Sequence, residues 1–344
     1  MGESHEIPSP CYVLDERLFR NNLQTIKSVR DNAGIDVILA FKGFSMWSAF
    51  PILKEYINGA TASSLHELQL CVEEMGVKGH TYMVAYHPRE FDHVLEGSSY
   101  LTFNSLSQYN LYWQKVKESK HRVSIGLRVN PEYSEVTTEL YNPAAPTSRL
   151  GVTIGQMPGA LPEGIEGLHF HTLCESDSFT LENTLKAFEK KFGKYLADVK
   201  WLNIGGGHLM TKKGYDIHHL VQVLKDFRDK YKISIIMEPG SAFAWEAGFL
   251  KTTILDIVEN GGVKTAIIDA SFTCHMPDCL EMPYKPKIRG ALSGNEKGEP
   301  YRIGGVSCLA GDYMESYQFP NSLAVGDSII FEDMIHYTLS LIHI

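Results

Sequence analysis

Lys42 closes the apolar run Val37-Ile38-Leu39-Ala40-Phe41 of this 344-residue chain. A lysine at the end of a buried strand sits in a partly dry place. Its pKa falls there, and a neutral amine can form a Schiff base with an aldehyde. The alternative is a lysine that snorkels to the surface, the commoner fate of lysines. Gly205-Gly206-Gly207 follows Leu202-Asn203-Ile204. Bare backbone N–H groups at such a turn form a nest for a phosphate, or simply a tight strand-to-helix turn. The spacing is not GxGxxG, which argues against a dinucleotide. Glu238 follows Ile235-Ile236-Met237 directly, and a carboxylate there needs a partner such as a pyridinium N–H. His171 could stack on an aromatic ring or be a hydrogen-bonded core histidine. His169, His171 and Cys174, and again Cys274, His275 and Cys279, invite a zinc reading, but neither group completes a tetrahedral ligand set with recognised spacing. No metal site is expected.

Eight short β-rich runs could position these groups: Val37–Phe41, Ala60–Ala62, Thr81–Val84, Tyr100–Phe103, Val123–Val129, Ile165–Phe170, Trp201–Ile204 and Ile233–Met237. Helical segments such as Leu65–Met75, Leu181–Phe192 and His219–Tyr231 lie between them. Near-continuous apolar strands alternating with amphipathic helices are buried parallel strands, and eight such units make a (β/α)8 barrel of the TIM type. A doubly wound sheet is the rival and does not require eight. Polar residues collect at the C-terminal ends of the runs: Lys42, Ser63-Ser64, Arg128 and Asn130, His169 and His171, Gly205 to Gly207, and Glu238-Pro239-Gly240. Jointly they point to one barrel mouth. From about residue 246 strand candidates follow one another without long helices: Thr252–Val258, Ala266–Ala270, Lys287–Ala291, Tyr301–Val306 and Ser328–Phe331. Asn260-Gly261-Gly262, Ser293-Gly294-Asn295 and Gly326-Asp327 are turn signals between them. The expected organisation is a barrel over 13–245 and an antiparallel β domain from 1–12 and 246–344.

The chain has 32 Lys and Arg against 41 Asp and Glu, a net charge of −9, which disfavours nucleic acid. Its six cysteines have no CxxC spacing, and the first residues lack a signal layout, so the cytoplasm is the expected compartment. No run approaches the roughly 18 apolar residues of a membrane span.

One cofactor satisfies the lysine, the anion nest, the stacking histidine and the buried carboxylate together: pyridoxal 5′-phosphate. With these residues in place, the sequence resembles the fold type III pyridoxal-phosphate decarboxylases, which pair an alanine-racemase-like barrel with a β domain. Within them it is most similar to the carboxynorspermidine/carboxyspermidine decarboxylase branch. The resemblance rests on Ala40-Phe41-Lys42, Gly167 to Glu175, Asn203 to His208, Glu238 to Ser241, His275 to Tyr284 and Cys308 to Asp312, within a span of about 8 to 338. The runs Asp278 to Tyr284 and His169 to Glu175 are the specific ones.

The resemblance implies roles. Lys42 carries the cofactor, His171 stacks on its ring, Glu238 keeps the ring nitrogen protonated, and Arg128 orients His171. Gly206, Gly207, Gly240, Ser241 and Tyr337 surround the phosphate. Cys308, from the partner subunit of a homodimer with a shared active site, protonates the carbanion. Glu238 and Ser241 also border the substrate, and Asp278 and Asp312 hold its distal ammonium. Ornithine decarboxylase carries arginine after Glu-Pro-Gly where this chain has Ser241. A serine adds no charge there and leaves room for a longer substrate. The implied activity is decarboxylation of carboxynorspermidine or carboxyspermidine to norspermidine or spermidine. The alternatives are a diaminopimelate, ornithine or arginine decarboxylase of the same fold, a racemase, or a catalytically weak or dead interaction partner. The presence of Lys42 and Cys308 argues against the last. The final residues, Leu339 to Ile344, read as translation of a transposon end used in sequencing libraries. We expect them to be a non-native tail on a chain whose C-terminus is truncated.

Overall fold

The computed structural model describes residues 7–57, 59–281, 284–294, 296–339 and 342–343. Residues 1–6 of the expected β domain, Met282 and Pro283 of the Asp278 to Tyr284 run, Asn295, and Ser340, Leu341 and Ile344 of the tail lie outside the described residues. The chain divides into two compact units. One holds residues 20–243 with 342–343, and the other holds 7–19 and 244–339.

The strands in chain order are β1 (Cys11–Leu14), β2 (Asp36–Val37), β3 (Leu39–Ala40), β4 (Ala60–Ala62), β5 (Gly79–Tyr82), β6 (Ser98–Phe103), β7 (Ser124–Asn130) and β8 (Val152–Thr153). They continue with β9 (Ile165–His169), β10 (Trp201–Asn203), β11 (Ser234–Met237), β12 (Gly248–Asn260), β13 (Val263–Ile268), β14 (Glu299–Gly304), β15 (Tyr313–Phe319) and β16 (Ser328–Glu332). In the first unit the order is β2-β11-β10-β9-β7-β6-β5-β4-β3, every pairing parallel, with β8 added to the end of β7. The expected run Val37–Phe41 is split at Ile38 into β2 and β3. The first half pairs with the last strand (Asp36 with Ile236) and the second with β4 (Leu39 with Ala60), so the sheet closes into the (β/α)8 barrel.

Helices cover the barrel with one apolar stripe each. In Ser178–Phe192, Leu181, Leu185, Phe188 and Phe192 recur at helical spacing and are all buried. Asp177 starts that helix by accepting the Thr180 N–H at 2.8 Å, and Asp216 does the same for Ile217–Tyr231 with the His219 N–H at 2.8 Å. Both caps follow mouth loops, so they fix where those loops end.

Trp201, at the start of β10, fills the barrel interior near the strands' N-terminal ends. Its Nε1 donates to Ser124 Oγ at 2.9 Å, and it packs with Ile38 and Ile236. Gly126 and Gly167 make room for it: a Cβ on Gly167 would lie 2.0 Å from the indole and one on Gly126 2.3 Å. Gly167→Ala is therefore expected to destabilise the protein by about 1–3 kcal/mol through overpacking, measured by chemical denaturation. An unchanged denaturation midpoint would contradict this packing.

The second unit is a sheet of order β1-β12-β13-β14-β15 with β16 on the other edge of β12. Its pairings are antiparallel except for β13 with β14. Leu250, Ile254, Ile268, Phe272, Tyr317 and Phe331 belong to its core. The turn Gly261-Gly262 takes φ of +58° and +77°, the left-handed pair that a tight hairpin needs. Two local expectations differ. Lys287–Ala291 forms a single bridge, Ile288 to Phe331, because Pro286 has no N–H and Gly290 turns away at φ +81°. Tyr313–Phe319 is an edge strand whose polar content conceals it in the sequence. No helix among the described residues is long and apolar enough to cross a membrane.

Candidate active site at the barrel mouth

Lys42 lies in the turn just after β3, with Phe41 between it and Ala40, the last strand residue. Burial pushes its ammonium below the usual lysine range and Arg128 pushes it further, while Glu238 and Glu67 pull the other way. The turn behind it fits against another loop: a Cβ on Gly43 would lie 2.6 Å from Gly240 Cα. Two glycines thus let the end of the first barrel strand meet the loop after the last one.

Arg128, buried on β7, donates from Nη2 to the His171 carbonyl at 3.1 Å, with its guanidinium 4.7 Å from the centre of the Tyr82 ring. The His171 ring is held from elsewhere: the Gly206 N–H donates to its Nδ1 at 2.8 Å. Burial, then Lys42 and Arg128, hold His171 well below the usual histidine range, so the imidazole is neutral near pH 7. With Nδ1 accepting, the proton resides on Nε2.

Glu238 is 7% exposed. Burial raises its carboxyl pKa, against hydrogen bonds from Asn203 and Thr61 and the charges of Lys42 and Arg128. Asn203 Nδ2 donates to Glu238 Oε1 at 2.6 Å, and Asn203 Oδ1 accepts the Gly205 N–H at 2.8 Å. His169 Nε2 lies 3.9 Å from Glu238 Oε2. Gly205 and Gly207 sit at φ +67° and +87°. A Cβ on Gly206 would lie 2.4 Å from the Glu238 carbonyl, and one on Gly207 2.2 Å from that of Leu173. Only glycine fits this turn. Ser241 is buried and starts the short helix Ser241–Ala244.

The other expected residues belong to the sheet unit. Asp312 is buried on the loop between β14 and β15, with Oδ1 accepting the N–H groups of Phe272 (2.8 Å) and Thr273 (3.2 Å) and Oδ2 that of Ser307 (3.2 Å). Burial opposes ionisation there, but these bonds, with Ser307 and Ser271, hold its pKa below the usual carboxylate range. Cys308 is exposed on the same loop, as are Val306 and Leu309 beside it. Asp278 is half-buried, and burial raises its pKa against His336 and Tyr284. Tyr337 meets His336 edge-on at 6.2 Å between ring centres. Among the described residues no group of three or more His, Cys, Asp and Glu is placed to hold a metal ion.

A closed parallel barrel with polar groups gathered at its mouth, joined to a separate sheet unit, defines a two-unit barrel enzyme. The family model described as pyridoxal-dependent decarboxylase, C-terminal sheet domain, matches residues 11–335. The chain belongs to the pyridoxal-dependent decarboxylases. It is 48% identical to carboxyaminopropylagmatine decarboxylase of Synechocystis, covering 97% of this chain and 86% of that one. It is 40% identical to a carboxynorspermidine/carboxyspermidine decarboxylase of Campylobacter jejuni, covering 97% and 89%. A solved carboxynorspermidine decarboxylase from Campylobacter jejuni, complexed with norspermidine, superposes with a TM-score of 0.88 at 39% identity, covering 97% and 90%. The resemblance read from the motifs therefore stands, and the reaction class is decarboxylation.

At the barrel mouth, His169 was weighed from sequence only as a zinc ligand, and Asn203, Thr61 and Tyr82 were given no role. The one available signal was position: Asn203 and His169 end their strands, and Thr61 and Tyr82 lie at or near the ends of theirs.

Proposed function

We propose that this chain decarboxylates a carboxylated polyamine, carboxynorspermidine or carboxyspermidine, with pyridoxal 5′-phosphate held at the barrel mouth. The carrying observation is the glycine-only turn against which His171 and Glu238 sit, with the Lys42 charge acting on both, in a chain 40% identical to a carboxynorspermidine/carboxyspermidine decarboxylase across nearly its whole length. These residues fit the cofactor. The turn admits no Cβ and holds the His171 ring through the Gly206 N–H, Lys42 is pushed toward a neutral amine, and Glu238 is pushed toward its protonated form.

When bound, pyridoxal phosphate supplies an electron sink for the carbon that loses carbon dioxide. Lys42 Nζ would hold the group through its aldehyde. Glu238 keeps a proton available to the ring nitrogen. His171, neutral and fixed by Gly206, would stack on the ring, and Arg128 holds the His171 backbone. Gly206, Gly207, Gly240, Ser241 and Tyr337 would hold the phosphate. Cys308 protonates the substrate carbon, acting across a homodimer with a shared active site. Asp278 and Asp312 would hold the distal cation, Asp312 as a carboxylate whose hydrogen bonds lower its pKa. All six cysteines are free, which supports the cytoplasm as the compartment.

The 48% identical relative favours a second reading, carboxyaminopropylagmatine as substrate. That molecule presents a planar guanidinium where the polyamines present an ammonium, and carboxylates bind the two differently. Carbon dioxide release, with cofactor added, is the test across carboxynorspermidine, carboxyspermidine, carboxyaminopropylagmatine, diaminopimelate and ornithine. The highest kcat/KM is expected on carboxynorspermidine or carboxyspermidine. A maximum on carboxyaminopropylagmatine assigns the second reading. A maximum on diaminopimelate or ornithine overturns both.

A further inference from the structure

We infer that Asn203 is a positioning residue that ties the orientation of Glu238 to the shape of the glycine turn. Asn203 ends β10 and is 4% exposed. A primary amide has one accepting end and one donating end. The Gly205 N–H at 2.8 Å fixes the accepting end, so Nδ2 must face Glu238, where it donates to Oε1 at 2.6 Å. Oε1 is therefore always an acceptor, and any proton on Glu238 resides on Oε2. That oxygen is the one near His169 Nε2, a buried nitrogen with no hydrogen-bond partner among the described residues.

The same amide acts in the other direction. By holding the Gly205 N–H it supports the turn in which the next N–H, that of Gly206, reaches His171 Nδ1 at 2.8 Å. One side chain thus joins the carboxyl that faces the ring nitrogen to the imidazole that faces the ring. An aspartate at 203 would keep the acceptor for Gly205 and place a second carboxylate against Glu238. The other groups around Glu238 are Lys42, Thr61, Tyr82, Arg128 and His169. None of them also holds the glycine turn through a hydrogen bond like that of Asn203. The role toward the ring rests on the proposed function, whereas the link to the turn is a property of the protein itself.

Two variants and two readouts test this. In cofactor-free protein, amide hydrogen exchange over residues 203–208 is measured by mass spectrometry. Asn203→Ala is expected to speed exchange of the Gly205 and Gly206 amides by at least about tenfold, and Asn203→Asp to leave Gly205 within about threefold of wild type. In cofactor-loaded protein, Asn203→Asp is expected to move the pH profile of the cofactor's visible absorbance upward by about one pH unit or more. Its kcat should fall while KM stays within about threefold, as for a residue acting through another. Wild-type exchange in Asn203→Ala overturns the link to the turn. A wild-type pH profile and kcat in Asn203→Asp overturn the link to Glu238. If the aspartate variant does not fold, exchange in the alanine variant decides. If wild-type protein takes up no cofactor, the proposed function fails while the exchange result still judges Asn203.

Discussion

Lys42→Ala is expected to lower carbon dioxide release on the order of 10⁴-fold and to remove the visible absorbance that wild-type protein acquires with pyridoxal phosphate. An unperturbed lysine, with a pKa of about 10.4, is neutral in only about one molecule in 2,500 at pH 7. Burial and the nearby Arg128 charge weaken proton binding at Lys42, and the neutral fraction grows in proportion to that weakening. Lys42→Arg is expected to fail as well, because a guanidinium stays charged. Neither result should come from unfolding. A lysine whose native pKa is lowered binds fewer protons in the folded state than in the unfolded one. Stability of cofactor-free wild-type protein should therefore rise with pH from the lowered native value up to about 10.4. Denaturation across that window should show the rise in wild type and a smaller rise in Lys42→Ala. A variant that retains turnover and absorbance would remove Lys42 from the chemistry.

Glu238→Gln is expected to cut kcat by about 10²–10³-fold, the range found when one aligned electrostatic partner of a reacting group is lost. Glutamine can still accept from Asn203 Nδ2 through its amide oxygen, so the local packing survives. It cannot deliver a proton to a ring nitrogen. The stability effect has the opposite sign. Burial raises the carboxyl pKa of Glu238, so the folded state binds more protons than the unfolded one. Its contribution to stability is present below about 4.3, the unfolded value, and is lost as pH rises toward the raised native value. Above that window Glu238→Gln, without cofactor, should be at least as stable as wild type in urea. Loss of activity together with loss of stability near neutral pH would mean that Glu238 serves the fold rather than the reaction.

The barrel was legible in the sequence because each strand is a short apolar run that ends on a polar residue at the mouth. Periodicity located those runs, and the C-terminal rule gathered Lys42, Arg128, His171 and Glu238 into one region. The break of the first strand at Ile38 was not legible, because closure of the sheet depends on pairing with a strand some 200 residues away. Tyr313–Phe319 escaped for another reason: an edge strand satisfies only one neighbour, and its polar face breaks the apolar run. Within the site, residue types were legible and hydrogen bonds were not. Arg128 reaches the His171 backbone while Gly206 holds the ring, a division of work that no spacing encodes. Asn203 opens the run Asn203 to His208, and its importance lies wholly in which atoms it faces.

The proposed function stands or falls on Lys42 as the residue through which the barrel mouth holds its cofactor. Borohydride reduction of cofactor-loaded protein, followed by peptide mass spectrometry, reads that attachment without relying on turnover. One reduced pyridoxyl phosphate group per chain is expected, attached at Lys42 and absent when the cofactor is omitted. Attachment at another lysine, or no attachment in protein that retains decarboxylase activity, would refute it.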